Sequence, residues 1–263
     1  MTTPLLRRLA HKAMSQTRSP WTRCHPDSRH LFRNGIAFNA QNPPGPSFNY
    51  VAVLGVTLPL DEVVKQADAF FAGKEGGYGV LVEGDIGHPL ETELRERGWK
   101  VFEDEPALVI PELRLDALEK ANHIPKELDI RRVEDQSSLD EFDETVSTVF
   151  AMPPNMRDSM GLFKLAQALD PDIALFAGYV DNRAVATSEL LCTADIAVLT
   201  GITTLEGFRK RGYGEALTRA ALIEGARRGC TSAALRSGPL SVPLYNRIGF
   251  QHACWHRTYV KGP

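Results

Sequence analysis

Apolar and polar positions along the chain follow two rhythms, and they take turns. Short apolar or alternating runs bounded by Gly, Pro, Asn and Asp predict strands at "NYVAVLGV", "YGVLVEG", "KVFEDEPALVI", "LDIRRV", "IALFAGYV", "AVATSELLC", "IAVLTGITT", "TSAALRS" and "FQHACWHRTYV". "HLFRNGIAFNA" reads as one further strand, ahead of the turn-rich "QNPPGPSF". Between these lie runs with helical spacing. "LPLDEVVKQADAFFAGKEGG" sets Val63, Val64, Ala67, Phe70 and Phe71 on one face and stops at Gly76 and Gly77. "EALTRAALIEGARRG" does the same with Ala216, Leu217, Ala220 and Ile223, ending at Gly229. "HPLETELRERG", "DQSSLDEFDETVSTVF", "MRDSMGLFKLAQAL" and "SVPLYNRIG" complete the helical set, the second of these with acids early, where the helix dipole favours them.

Alternation of strands with amphipathic helices predicts an α/β chain built on a mixed sheet. "PELRLDALEKANHIPKEL", bounded by Pro111 and Pro125, reads as a connecting helix between two segments. The expected organisation is an N-terminal extension over 1–27, a first domain over 28–112, the connector over 113–127 and a second domain over 128–263. From "NYVAVLGV" onward the first segment runs strand, helix, strand, helix, strand, the order in which the second segment ends. That correspondence points to a duplicated architecture whose first copy is shortened.

Composition narrows the function. The 263 residues are 43% hydrophobic, enough for a substantial core without staples. A net charge of -3 gives no general attraction to nucleic acid or anionic membranes. No apolar run approaches the ~20 residues of a membrane span. Cys24, Cys192, Cys230 and Cys254 form no C-x-x-C pair, which fits reduced thiols and a cytoplasmic location. The acid-free "TPLLRRLAHKAMSQTRS" is superficially like a transit peptide, but the plainer reading is a short surface helix ahead of the first domain.

Against this acidic background, "FRKRGYG" concentrates three cations and two glycines in Phe208 to Gly214. Positive charge and bare backbone at a helix start suit an anion, above all a phosphate. Gly207 and Gly212 have P-loop spacing, but Tyr213 and Gly214 stand where its lysine and hydroxyl belong. A dinucleotide fingerprint needs a third glycine at Leu217. What remains is R-x-x-G-x-G at Arg209, Gly212 and Gly214, between an apolar strand and an amphipathic helix.

With that motif and the order of its elements, the stretch from about Leu128 to Val260 resembles the GCN5-related N-acetyltransferase (GNAT) superfamily. The resemblance implies its acyl-coenzyme A fold, with the first domain a smaller, degenerate copy. It implies that Arg209, Lys210, Arg211, Gly212, Tyr213 and Gly214 hold the pyrophosphate of acetyl-coenzyme A by backbone N–H groups. Ile202, Thr203 and Thr204 would pair with the pantetheine arm as an added strand. Glu206 stands where family members often carry proline. "LYNRIGF" matches the family's L-Y-x-x-x-G-F and makes Tyr245 the acid for the leaving thiolate, a phenol being protonated at neutral pH. A common asparagine seven residues earlier is Gly238 here, with Ser237 beside it as the polar candidate for a cofactor contact. Where some members have a glutamate base this chain has Val198, so Glu189 on the preceding strand is the substitute, with water held by Thr200 or Ser237 as the alternative. Asn155 and Arg157, in the Pro-containing segment between the first two helices of the second domain, are the candidates for the acceptor.

No metal is expected. "HACWH" places His252, Cys254 and His256 on one strand face, but alternate residues are ~6.5 Å apart and three in a row cannot all meet one ion unless the strand bends. The first domain has neither motif; "LRERGW" keeps only a glycine and an aromatic. The expected protein is thus an acetyl-coenzyme A-dependent N-acetyltransferase acting on a small-molecule or peptide amine in a ternary complex, as a monomer or homodimer. The alternative is a non-catalytic acyl-coenzyme A-binding protein on the same fold.

Overall fold

A computed structural model describes residues 4–16, 27–41, 45–84, 89–153, 165–193 and 195–262, apart from the side chains of 166 and 167. The chain divides into two compact units. The first comprises Met1–Val109, Arg236–Val242 and Gln251–Pro263, and the second Ile110–Leu235 and Pro243–Phe250. The last strand, expected in the second domain, is grouped with the first unit.

The first unit contains α1 (Pro4–Gln16), β1 (Arg29–Arg33), β2 (Ile36–Ala40), β3 (Tyr50–Val53), α2 (Leu60–Phe70), β4 (Gly79–Glu83), α3 (Pro89–Glu96), β5 (Lys100–Ile110) and the chain's final strand, β11 (Gln251–Val260). Their sheet order is β1-β2-β3-β4-β11-β5. "HLFRNGIAFNA", read as one strand, is a hairpin. Asn34 and Gly35 both take positive φ (53° and 79°), as a two-residue turn between right-twisted strands requires. β3 and β4 are parallel, with α2 between them in sequence.

Strands β2, β3 and β4 are buried at every position because both faces are covered. On one face Ile36, Phe38, Val51, Val53, Val80 and Val82 pack with Leu60, Val63 and Ala67 of α2 and Leu90 and Leu94 of α3. On the other, Ala37, Tyr50, Ala52 and Leu81 meet Met14 of α1. Leu6, Ala10, Ala13 and Met14 form the buried stripe of α1, at i, i+4, i+7 and i+8. This helix is therefore part of the unit's core.

The second unit contains α4 (Leu115–Lys120), β6 (Asp129–Arg132), α5 (Gln136–Val149), α6 (Leu165–Ala168), β7 (Ile173–Val180), β8 (Arg183–Thr193), β9 (Ile196–Thr204), α7 (Tyr213–Arg227), β10 (Ser232–Arg236) and α8 (Val242–Ile248). The strand order is β10-β9-β8-β7-β6, antiparallel except for the parallel β9–β10 pair. α5 starts where its sequence says it should. Asp135 Oδ1 accepts the Ser138 N–H at 2.8 Å, and Ser138 Oγ accepts the Asp135 N–H at 3.3 Å, a reciprocal cap. The predicted helix "MRDSMGLFKLAQAL" lies mostly outside the described residues; α6 is its described part. No described helix is long and apolar enough to cross a membrane.

Candidate functional site

The site is built where β9 ends. This strand runs for nine residues, but only Ile196, Ala197 and Val198 pair with β10. From Leu199 to Thr204 its partner is β8 alone, so its other edge offers unpaired backbone groups. A bulge sharpens the divergence. The register steps between Thr187 and Glu189, leaving Gly201 and Ile202 opposite Ser188 alone. Gly201 takes φ 56°, the left-handed conformation such a bulge demands, and bulging raises the local twist. Buried Thr187 locks the distortion, its hydroxyl donating to the Gly201 carbonyl at 2.7 Å and sharing a hydrogen bond with the Thr203 hydroxyl.

Past the strand, Glu206–Phe208 forms one 3-10 turn, and Gly212 at φ 85° turns the chain into α7. A side chain at φ 85° would be strained, so the motif's first glycine is a conformational requirement. The α7 ladder opens with Ala216 N–H donating to Gly212 C=O at 3.0 Å, so the N–H groups of Tyr213, Gly214 and Glu215 precede it. They lie at the positive end of a 15-residue helix. Around them Arg209, Lys210 and Arg211 are exposed. Arg209 Nε donates to Thr204 O at 3.1 Å and Arg211 Nη2 to Gly207 O at 3.3 Å, which tethers two of the cations to the turn. Arg183, the first residue of β8, and Arg211 both approach the Phe208 ring, at 5.8 and 5.4 Å. Arg183 thereby joins the cationic group from 25 residues away, which sequence spacing does not reveal.

Tyr213 anchors the helix start. Its side chain is buried beside Leu205, Ala216 and Leu217, and its hydroxyl donates to Glu127 Oε1 at 2.9 Å. Burial and that bond raise its pKa. Only its backbone faces the anion position; its phenol belongs to the core.

α8 closes the same end. A Cβ on Gly214 would lie 3.5 Å from Thr204 Oγ1 and 3.8 Å from Leu244 Cδ2, so strand end, helix start and α8 converge on this glycine. Arg247 of α8 reaches Glu215 at 3.9 Å. One residue past Leu244, Tyr245 is buried with its ring edge-on to Phe250 at 5.7 Å. Among the described residues its hydroxyl has no hydrogen-bond partner. Burial pushes its pKa up to about 12.

Glu189 is buried on β8, on the sheet face covered by α5; a Cβ on Gly201 would lie 3.6 Å from its Oε2 and 4.0 Å from Phe142. It therefore stands beside the bulge. On the same helix, Asp143 was not singled out by its sequence context, yet burial pushes its carboxyl up to about 7, with Asp140 adding to the shift. Ser237 is buried in the 236–242 stretch of the first unit, its hydroxyl donating to Gly238 O at 2.8 Å. Asn155 and Arg157 lie outside the described residues.

The donor set fits a diphosphate carried on an extended arm: unpaired strand edge, free helix N–H groups and clustered arginines follow one another along the chain. Residues 139–250 match the family model "Acetyltransferase (GNAT) family". No curated protein matches the chain in sequence. Among solved structures, a GCN5-related N-acetyltransferase from Kribbella flavida is similar over 97% of this chain and 96% of its own, at 15% identity and TM-score 0.70. Another from Sphaerobacter thermophilus is similar over 86% of this chain and 76% of its own, at 15% identity and TM-score 0.60. A putative GNAT-family acetyltransferase from Novosphingobium aromaticivorans covers 99% of this chain and 100% of its own, at 15% identity and TM-score 0.57.

Proposed function

Because the chain carries an acetyltransferase (GNAT) family domain at residues 139–250, we propose that it acetylates a primary amine at the expense of acetyl-coenzyme A. The supporting observation is the continuity of the open β9 edge with the cationic, glycine-turned start of α7. Backbone N–H groups of residues 210–214 would hold the pyrophosphate, and Ile202, Thr203 and Thr204 would pair with the pantetheine arm. Acetyl-coenzyme A supplies the thioester, whose acetyl carbon exchanges its bond to sulfur for one to the amine nitrogen. The chain positions both reactants and so removes much of the entropic barrier. Backbone N–H groups near Thr204 stabilise charge on the acyl oxygen.

Tyr245 then delivers its proton to sulfur. Burial keeps the phenol protonated throughout the physiological range, and the same dry surroundings make a bare thiolate costly and eager to accept. The amine must lose a proton before attacking. Glu189, beside the bulge, or water held by Thr200 accepts it. Asn155 and Arg157 remain the candidates for acceptor contacts. In the first unit, β3, α2 and β4 repeat the β9, α7, β10 order with a parallel pair. There the helix opens with Asp61 and Glu62, acids where a phosphate would need N–H groups and cations. We take this unit as a GNAT-like half that binds no coenzyme A.

Calorimetric titration with acetyl-coenzyme A, beside an Arg209→Ala/Gly212→Asp variant, tests the reading. Binding lost in the variant, with thiol release when amines are added to wild type, supports it. Binding without thiol release for any amine favours the non-catalytic alternative. Absence of binding by wild type removes both.

A further inference from the structure

The spacing argument against a metal in "HACWH" holds for three alternating residues of one strand, but the fold supplies the third ligand from elsewhere. A register shift between His252 and Cys254 interrupts the β11–β5 ladder, and His252 turns to the Trp255 ring. Cys254 and His256 instead face His11 of α1, 245 positions away from His256 in the chain. One nitrogen or sulfur atom from each of His11, Cys254 and His256 lies within 4.8 Å of the others.

The spacing within that group is close to what an ion requires. Cys254 Sγ is 3.4 Å from His256 Nε2. Tetrahedral bonds of ~2.3 Å to sulfur and ~2.0 Å to nitrogen place such a pair about 3.5 Å apart. Both residues are fully buried, so neither is positioned by solvent. His256 Nδ1 is buried with no hydrogen-bond partner among the described residues. His11 Nε2 is likewise enclosed without a hydrogen bond, although Glu83 Oε2 lies 3.1 Å away. Glu83 is itself buried, stands opposite His256 in the β4–β11 ladder and has its other oxygen fixed by Arg7. Two imidazoles, a thiol that ionises on coordination and an adjacent carboxylate form a nitrogen, sulfur and oxygen set that suits zinc.

We propose that His11, Cys254 and His256 bind one divalent ion of the zinc class, with the Glu83 carboxylate held beside His11. The ion fastens the first helix to the last strand. His11, the ligand nearest solvent, swings in to close the remaining distance, and the Cys254 thiol releases its proton to solvent as the metal–sulfur bond forms. Because Cys254 and His256 are fully buried, the ion is structural, and the proposal is independent of the acetyl-transfer reading.

The test uses the full-length protein, stripped with a chelator and titrated with Co²⁺, which substitutes for zinc and reports thiolate ligation by a sulfur-to-cobalt charge-transfer band. The band should saturate at one equivalent, persist in Cys192→Ser and Cys230→Ser, and vanish in Cys254→Ser. His11→Gln, a change on the partly exposed helix, should weaken Co²⁺ binding roughly tenfold or more, and Zn²⁺ should raise the melting temperature of wild type but not of this variant. No band in wild type, or a band that survives Cys254→Ser, overturns the proposal. Should Cys254→Ser fail to fold, wild-type-like Co²⁺ affinity in His11→Gln overturns it alone.

Discussion

Buried Tyr245 and half-buried Asp143, both in the second unit, carry opposite lessons about protons. Tyr245, pushed up to about 12, keeps its proton throughout the working range, as the donor of the proposed mechanism must. Tyr245→Phe should therefore lower kcat while acetyl-coenzyme A affinity stays nearly constant; unchanged turnover would remove Tyr245 from the mechanism. The wild-type rate should rise with pH as the acceptor amine deprotonates and show no alkaline fall below about pH 10, since the phenol is still protonated there. Asp143 works against the fold. Its carboxyl is pushed from 3.8 to about 7, so between those values the unfolded chain is ionised while the folded one holds its proton. Stability is lost as pH rises through that window and stays low above it. Asp143→Asn should gain about 2–4 kcal/mol at pH 8 and nothing at pH 4, read from urea melts at the two pH values. Equal effects at both would assign the gain to packing. Neither shift was visible in sequence, because burial is a property of the assembled face.

Elements were largely legible. "IALFAGYV" and "IAVLTGITT" are strands at their predicted bounds, because apolar runs closed by Asp-Asn or Gly-rich turns leave little choice. The hairpin at Asn34–Gly35 was passed over although Asn-Gly is itself a turn signal; the flanking apolar residues masked it. The glycine turn announced itself through composition and proved to need Gly212 for its φ. The bulge in β9 did not, since it rests on a cross-strand contact from Thr187. Thr187→Val should leave the Gly201 carbonyl without that donor, cost about 1–2 kcal/mol, and weaken acetyl-coenzyme A binding, whereas Thr187→Ser should preserve both. Denaturant midpoints and calorimetry measure the two effects; an affinity untouched by Thr187→Val would separate the bulge from the binding edge.

For the molecule as a whole, the two units differ in what their corresponding helices present: acids at α2, cations before α7. One acetyl-coenzyme A per chain is the expected stoichiometry, and two would show the first unit to be competent. The duplicated order of elements was readable in sequence. The destination of β11 was not, because strand partners far apart in the chain leave no local mark. β11 lies between β4 and β5, pairing with both. A fragment ending at residue 110 would therefore leave β4 and β5 without the strand both pair with, and it should be less soluble than the full chain. The same insertion sets a timetable for biosynthesis. β4 and β5 leave the ribosome more than a hundred residues before their shared partner. At ~5–20 residues per second they wait on the order of ten seconds with edges bare. The half that is made first is thus the last to be finished, and a cell making this protein must shelter its beginning until its end arrives.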